Sequence, residues 1–497
     1  MTFHNKLDKV VGKNNSLLCV GLDPDVSKMP TQFKKSKQPL FDFNKAIIDA
    51  TASLVCAFKP QSAFYEAYGP EGIKQLKQTA DYIHKKYPHI PIILDAKRAD
   101  IGNTNDGYVE FIFDYLRMDA VTLHPYLGSE ALRPFLKRKD KGLIILCRTS
   151  NPGAAEFQDL QTGGRPLYEQ VAQTVADKWN AHKNCLLVVG ATYPEEMKAI
   201  RQIVGPDMVL LVPGIGAQGG DVGSSVRAGL GANQRGMIIS SSRDILYASN
   251  KADFAKVAHQ RARAVRDEIN KYREESETRQ ALEAKGCIYS GHFVGVSTKH
   301  LSGYCNIDPL LPHAGLVGEL IEKLVNEFKD SGVETVAAPA VGAIPFAHWG
   351  AHHLMKLNGG EVYGVWADKV ADAPTREFVF EREGFAKLVK GKKILVLEDM
   401  INQMTSIRAM IKTVRAAGGK IVGVGAVAAN KDVDAKALGV SKFVKLCSVE
   451  YDAWTAEDCA KTGLCAQGVP IVIDIGHGDD FQKANPSYAG GYINLLA

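Results

Sequence analysis

Ile92-Ile93-Leu94-Asp95-Ala96-Lys97-Arg98-Ala99-Asp100-Ile101-Gly102-Asn103-Thr104 opens as an apolar run of strand length and closes as a polar turn, after which residues 108–116 take up a helical pattern. Asp95, Lys97 and Asp100 fall at i, i+2 and i+5. Alternation along a strand puts Asp95 and Lys97 on one side, so a carboxylate and an ammonium emerge together at the strand's carboxyl end. Alone, an aspartate and a lysine two apart read as a surface ion pair, because most charged side chains are exposed. The surrounding chain decides otherwise.

Working outward, similar apolar runs occupy residues 17–21, 55–58, 92–96, 120–123, 143–146, 186–189, 208–212 and 236–239, with helical patterns between them. Eight βα units in about 250 residues predict a (β/α)₈ barrel; a doubly wound sheet, the alternative, more often stops at five or six strands. In a barrel, functional side chains follow the strands. Here Asp23 and Asp25 follow the first run, Lys59, Gln61 and Ser62 the second, and His124 the fourth. Ser150 lies in the polar stretch after the fifth, Pro213 to Asp221 follow the seventh, and Ser240 to Arg243 the eighth. Nearly every polar cluster gathers at one rim, which favours a catalytic reading of Asp95 and Lys97.

Gly214-Ile215-Gly216-Ala217-Gln218-Gly219 spells G-x-G-x-x-G, yet a dinucleotide fingerprint belongs early in a βαβ unit with an acid closing the next strand. Here the next strand ends in serines and Arg243. Loops after barrel strands seven and eight commonly cradle phosphate, so an anion site is expected, not a nicotinamide site.

The chain has 497 residues, 45% apolar and 23% charged, and its net charge of +5 is spread over 60 basic and 55 acidic residues. That predicts two or three globular domains, and no basic block interleaved with aromatics suggests nucleic acid. Nine scattered cysteines read as reduced thiols, no uncharged run approaches membrane-spanning length, and the ends carry neither a signal core nor a peroxisomal address. A cytoplasmic enzyme, not associated with membranes, is the expectation. Residues 273–282, beginning Arg273-Glu274-Glu275-Ser276-Glu277, read as a solvated linker between domains at 1–272 and 283–497. Past it, the run at 336–338, the strand ending Glu398-Asp399, a helix near 405–417 and a strand at 421–427 predict an α/β domain with a mainly parallel sheet. Cys459 and Cys465 lie close together, but two thiols with no partner pair argue against zinc.

The motifs of residues 1–272 resemble orotidine 5′-phosphate decarboxylases. They are Phe58-Lys59-Pro60 with Gln61 to Glu66, the stretch from Asp95 to Thr104, Pro213 to Asp221, and Ser241-Ser242-Arg243. The resemblance implies that Lys59, Asp95, Lys97 and Asp100 form the family's catalytic array, working without a cofactor or metal. It also implies that Asp23 and Lys59 bind ribose hydroxyls, Ser150 the pyrimidine edge, and Gln218 and Arg243 the phosphate, with Pro213 and Ser242 lining the site. Asp100, Ile101 and Thr104 would reach into a partner subunit, making the enzyme a homodimer with shared sites.

Residues 283–497 resemble type I phosphoribosyltransferases of the orotate phosphoribosyltransferase kind, through His292-Phe293-Val294, Ser297-Thr298-Lys299-His300, Pro339 to Pro345, Glu398-Asp399 and the closing Gly476-His477-Gly478. The implied diphosphate-sugar site would use Lys299, Arg382, Glu398, Asp399, Thr405 and Ser406, with Mg²⁺ and phosphoribosyl pyrophosphate. Such a fusion would be a two-step UMP synthase. Departures from the pattern are Met404 in a loop that is usually small-residue, Ile307 where lysine is common, and acids flanking Arg382 in Glu381-Arg382-Glu383. They leave open a second reading, in which this domain is a catalytically retired module serving stability or dimerisation.

Overall fold

The eight apolar runs of the first half become eight parallel strands whose residues are almost all buried. In the computed structural model, which describes residues 1–215, 220–295, 298–371 and 376–496, they are β1 Leu18–Gly21, β2 Ala57–Lys59, β3 Ile93–Arg98, β4 Ala120–Leu123, β5 Gly142–Arg148, β6 Cys185–Val189, β7 Leu210–Pro213 and β8 Met237–Ser241. Their order in the sheet is β2-β1-β8-β7-β6-β5-β4-β3. Isolated parallel bridges Phe58↔Ile92 and Gln61↔Asp95 join β2 to β3, so the sheet closes into the expected barrel and the doubly wound alternative falls. Parallel strands covered by helices outside and side chains inside are buried on both faces, which is why they read as continuous apolar runs.

The chain divides into two compact units, Met1–Arg273 and Glu274–Ala497. Residues 273–282, expected as a solvated linker, are helical, inside the helix Phe254–Ala284. Arg, Glu and Ala are good helix formers, so this polar stretch winds into a helix that turns only a narrow stripe inward. Thr278 and Leu282, four apart, are its buried residues, while Lys323 pairs with Glu277 and the Ser448 N–H donates to Glu275.

The second unit has a six-stranded sheet in the order Phe378–Val379, Tyr363–Lys369, Thr335–Pro339, Lys393–Ile401, Lys420–Asn430, Phe443–Val449, parallel except at Phe378–Val379. Alternation sorts its residues. Leu395 and Leu397 join the core under the helices Ala314–Asn326 and Ile344–Asn358, whereas Ile394 and Val396 join the one beneath Thr405–Ala416. A smaller sheet is built on the antiparallel pair Ile288–Val294 and His300–Cys305. All nine cysteines are free thiols, and no helix among the described residues is long and apolar enough to cross a membrane.

Candidate active site

At the carboxyl ends of β2 and β3 three charges meet in alternating order. Lys59 Nζ lies 2.9 Å from Asp95 Oδ2, and Lys97 Nζ lies 2.7 Å from Asp95 Oδ1. Lys59 is 5% exposed and Asp95 9%, whereas the Lys97 side chain stands half in the open mouth. Burial alone would push the Lys59 ammonium down, but Asp95 and then Asp23 outweigh it and hold its pKa above the ordinary lysine value. Burial alone would likewise raise Asp95, and Lys59 and Lys97 together hold it well below the carboxylate range. Lys59 and Asp95 therefore both stay ionised while largely desolvated.

Neighbouring side chains fix this geometry. Thr122 Oγ1, from β4, donates to Asp95 Oδ1 at 2.9 Å and accepts the Lys97 N–H at 3.0 Å. Lys97 itself has φ +47°, left-handed backbone that few side-chain-bearing residues adopt. Across the mouth, Ser242 Oγ donates to Asp23 Oδ2, and Gly21 makes this approach possible: a Cβ there would lie 2.5 Å from that hydroxyl. Tyr247 Oη donates to the Asp23 carbonyl and accepts from the Asp25 N–H, while Tyr65 Oη donates to the Leu22 carbonyl. Asp23 Oδ1 is buried with no partner among the described residues. Ser150 packs against Gly190, whose missing Cβ leaves it room.

Of the predicted array, Lys59, Asp95 and Lys97 come together within the chain and Asp100 does not. Its carboxylate accepts its neighbour's N–H, from Ile101, and its own N–H is held by Asn105 Oδ1. Ile101, 60% exposed, and Thr104, also exposed, face outward beside it. Pro213 ends β7 and Arg243 is exposed at the first turn after β8. Gln218, with Gly216, Ala217 and Gly219, lies outside the described residues. Thr122, Tyr65 and Tyr247 were not singled out from sequence: hydroxyls that fix a loop through backbone groups carry no spacing signal. The only hint was that Tyr65 lies inside the motif after β2.

In the second unit Glu398 and Asp399 lie near the end of the strand Lys393–Ile401, with Thr405 and Ser406 opening the next helix. Glu398 is buried, and burial followed by repulsion from Asp399 raises its pKa well above the ordinary value; its Oε2 has no partner among the described residues. Arg376 donates to Ser406 at 2.5 Å. The other predicted residues are not gathered here: Arg382 pairs with Asp368 at 3.7 Å beside Trp366, and Lys299 is exposed on the hairpin of the small sheet. Ile307 is buried in the core, and Met404 caps the helix in left-handed backbone, φ +61°. The reading that Cys459 and Cys465 lack partners is also corrected, since His292 and His300 lie against them, contributed by strands about 170 residues earlier.

Comparison with known proteins bears on the first unit most. Residues 16–257 match the family described as orotidine 5′-phosphate decarboxylase / HUMPS. An orotidine 5′-phosphate decarboxylase of Cellvibrio japonicus is 56% identical over 272 residues, 54% of this chain and 98% of that protein. One from Ralstonia nicotianae is 52% identical over 273 residues, 55% of this chain and all of its own. A solved structure of Leishmania donovani UMP synthase is 30% identical, covers 90% of this chain and 94% of that one, and superposes with a TM-score of 0.51.

Proposed function

We propose, from the premise that this chain belongs to the orotidine 5′-phosphate decarboxylase family, that Lys59, Asp95 and Lys97 carry out the decarboxylation of orotidine 5′-monophosphate to UMP. Expelling CO₂ from C6 of the pyrimidine leaves a carbanion that no adjacent carbonyl delocalises well, so the protein must supply fixed electrostatics and a proton. Lys97, set beside the reacting carbon, stabilises the developing charge and then donates a proton to C6. Asp95, ionised and buried, disfavours the substrate carboxylate next to it, and loss of CO₂ relieves that repulsion. Lys59 keeps Asp95 charged. The observation that carries this reading is the Lys59–Asp95–Lys97 alternation at one strand-end rim, with Lys59 and Asp95 buried and Lys97 facing the mouth.

Substrate binding follows from the same rim. The unpartnered Asp23 Oδ1 is an acceptor suited to a ribose hydroxyl; Ser150 meets the pyrimidine edge, and Arg243 with Gln218, beside Pro213 and Ser242, takes the phosphate. Energy gained at that remote phosphate is what closes the loops and excludes water from the ring. Asp100, Ile101 and Thr104 complete the site of a second copy of the chain in a homodimer. Lys97→Ala is expected to abolish turnover while preserving the circular-dichroism spectrum. Near-normal decarboxylation by that variant would remove the mechanism.

A second reading concerns the other unit: it makes the decarboxylase's substrate from orotate and phosphoribosyl pyrophosphate. It is supported by a likeness to UMP synthase that extends over nine-tenths of the chain. Glu398 Oε2, buried and unpartnered among the described residues, fits a Mg²⁺-bound diphosphate sugar, whose metal would offset the charge of Glu398 and Asp399. Thr405 and Ser406 would hold the sugar's 5-phosphate at the helix start, with Lys299 and Arg382 as mobile cations. Met404 and Ile307 favour a retired module instead. Incubating the full chain with orotate, Mg²⁺ and phosphoribosyl pyrophosphate separates the two, since only a working transferase produces UMP.

A further inference from the structure

The geometry points to a structural zinc ion in the second unit, held by His292, His300, Cys459 and Cys465. Their ligand atoms all lie within 4.8 Å of one another. Cys459 Sγ is 3.7 Å from His292 Nε2, Cys465 Sγ is 3.8 Å from the same nitrogen, and Cys465 Sγ is 3.3 Å from His300 Nδ1. A tetrahedral zinc with bonds of about 2.3 Å to sulfur and 2.0 Å to nitrogen separates its ligand atoms by about 3.3–3.8 Å. Of these spacings the His292 Nε2 to His300 Nδ1 one, 2.7 Å, is shorter, and a small outward tilt of the two rings accommodates the ion.

Outer contacts prepare the set for a metal. His292 Nδ1–H donates to the Val469 carbonyl at 3.0 Å, which leaves Nε2 with its lone pair toward the thiols. The Cys465 N–H donates to Cys459 Sγ at 3.3 Å, an outer contact that holds this sulfur in place. Both histidines are fully buried, and Phe481 and Tyr488 close the site edge-on to the rings. Four protein ligands with none left to solvent make a structural site, and two thiolates with two imidazoles select zinc over the oxygen-seeking Mg²⁺ or Ca²⁺.

The fold also supplies a reason for such an ion. Among the described residues, the buried apolar cluster behind this small sheet is Phe293, Leu301, Val472 and Ile475, with Tyr289, Tyr304 and Tyr451 packed against it. Zinc would pin the hairpin carrying His292 and His300 to the helix Ala456–Thr462, which carries Cys459, and to the turn after it, which carries Cys465, a staple where apolar burial is thin. On binding, both thiols release their protons to solvent and four metal–ligand bonds form, with no change of oxidation state.

The test is elemental analysis of the full chain purified without added chelator, followed by cobalt(II) replacement. One zinc per chain is expected. The cobalt protein should show the intense ligand-field bands of a tetrahedral ion and a thiolate-to-cobalt charge-transfer band. The pair Cys459→Ser and Cys465→Ser should lose both metal and bands, while Cys305→Ser keeps them. Decarboxylation checks that the first unit of the double variant has folded, and its circular-dichroism spectrum compared with that of the Cys305→Ser protein checks the second. Metal-free protein whose cobalt form lacks the charge-transfer band would overturn the inference. So would zinc retained by the double variant, or a Cys459–Cys465 disulfide found by mass spectrometry in freshly purified protein.

Discussion

Two buried acids of this chain sit in opposite electrostatic surroundings. Asp95 lies between two ammonium groups; Glu398 faces another acid, and its Oε2 is unpartnered among the described residues. The depressed value of Asp95 stabilises the fold fully above the unfolded-state pKa of about 3.9, and that contribution is lost only as the pH falls toward the folded value. The raised value of Lys59 contributes fully below about 10.4 and is lost as the pH rises through the folded value. The pair therefore leaves stability level between about pH 5 and 9. Glu398 acts in reverse: below about pH 4.3 it costs nothing, and above it the unfolded chain sheds a proton that the folded chain retains. Glu398→Gln is thus expected to raise the thermal midpoint of the Mg²⁺-free protein at neutral pH, by about 2–4 °C for each kcal/mol gained in a domain of this size. The gain should vanish toward about pH 4. A midpoint unmoved at neutral pH would show that the ionised Glu398 is compensated.

At the scale of the element, β3 shows how spacing can predict the right neighbours by an incomplete route. Asp95 and Lys97 do meet, but not on a regular pleat. The register of β3 against β4 shifts between Leu94 and Arg98, and the left-handed Lys97 turns its side chain back to Asp95 while Thr122 holds its N–H. If that backbone is strained, Lys97→Gly should be more stable than Lys97→Ala by about 1 kcal/mol in chemical denaturation, both being inactive. Equal stabilities would mean the turn costs nothing. The strands themselves were legible because burial on both faces leaves continuous apolar runs, and the rim was legible because polar residues follow them. Closure between β2 and β3 was not: it rests on isolated bridges with no sequence signature. The helical course of 273–282 was hidden because this part of the helix Phe254–Ala284 buries just Thr278 and Leu282, so its composition resembles a solvated linker. The histidine partners of Cys459 and Cys465 were hidden for another reason, since their pairing depends on which strands of the small sheet become neighbours.

For the whole molecule, the question is whether one chain holds a complete decarboxylase site. Lys59, Asp95 and Lys97 meet inside the chain, whereas Asp100 and the exposed Ile101 and Thr104 stand apart from them on the segment that follows β3. A large apolar side chain left in water next to an acid of the motif suits a surface covered by a second copy, and a symmetric dimer would use the same segment twice. Complementation tests this directly. Lys97→Ala and Asp100→Ala should each be inactive, because each dimer would carry the same defect in both sites. After unfolding and refolding as an equal mixture, half the dimers should be mixed. Each of those combines Lys97 of one chain with Asp100 of the other in one intact site, restoring about a quarter of the wild-type activity. If the mixture stays as inactive as its components, although analytical ultracentrifugation shows dimers and the wild-type protein refolds to activity, Asp100 acts within its own chain and the shared-site reading fails.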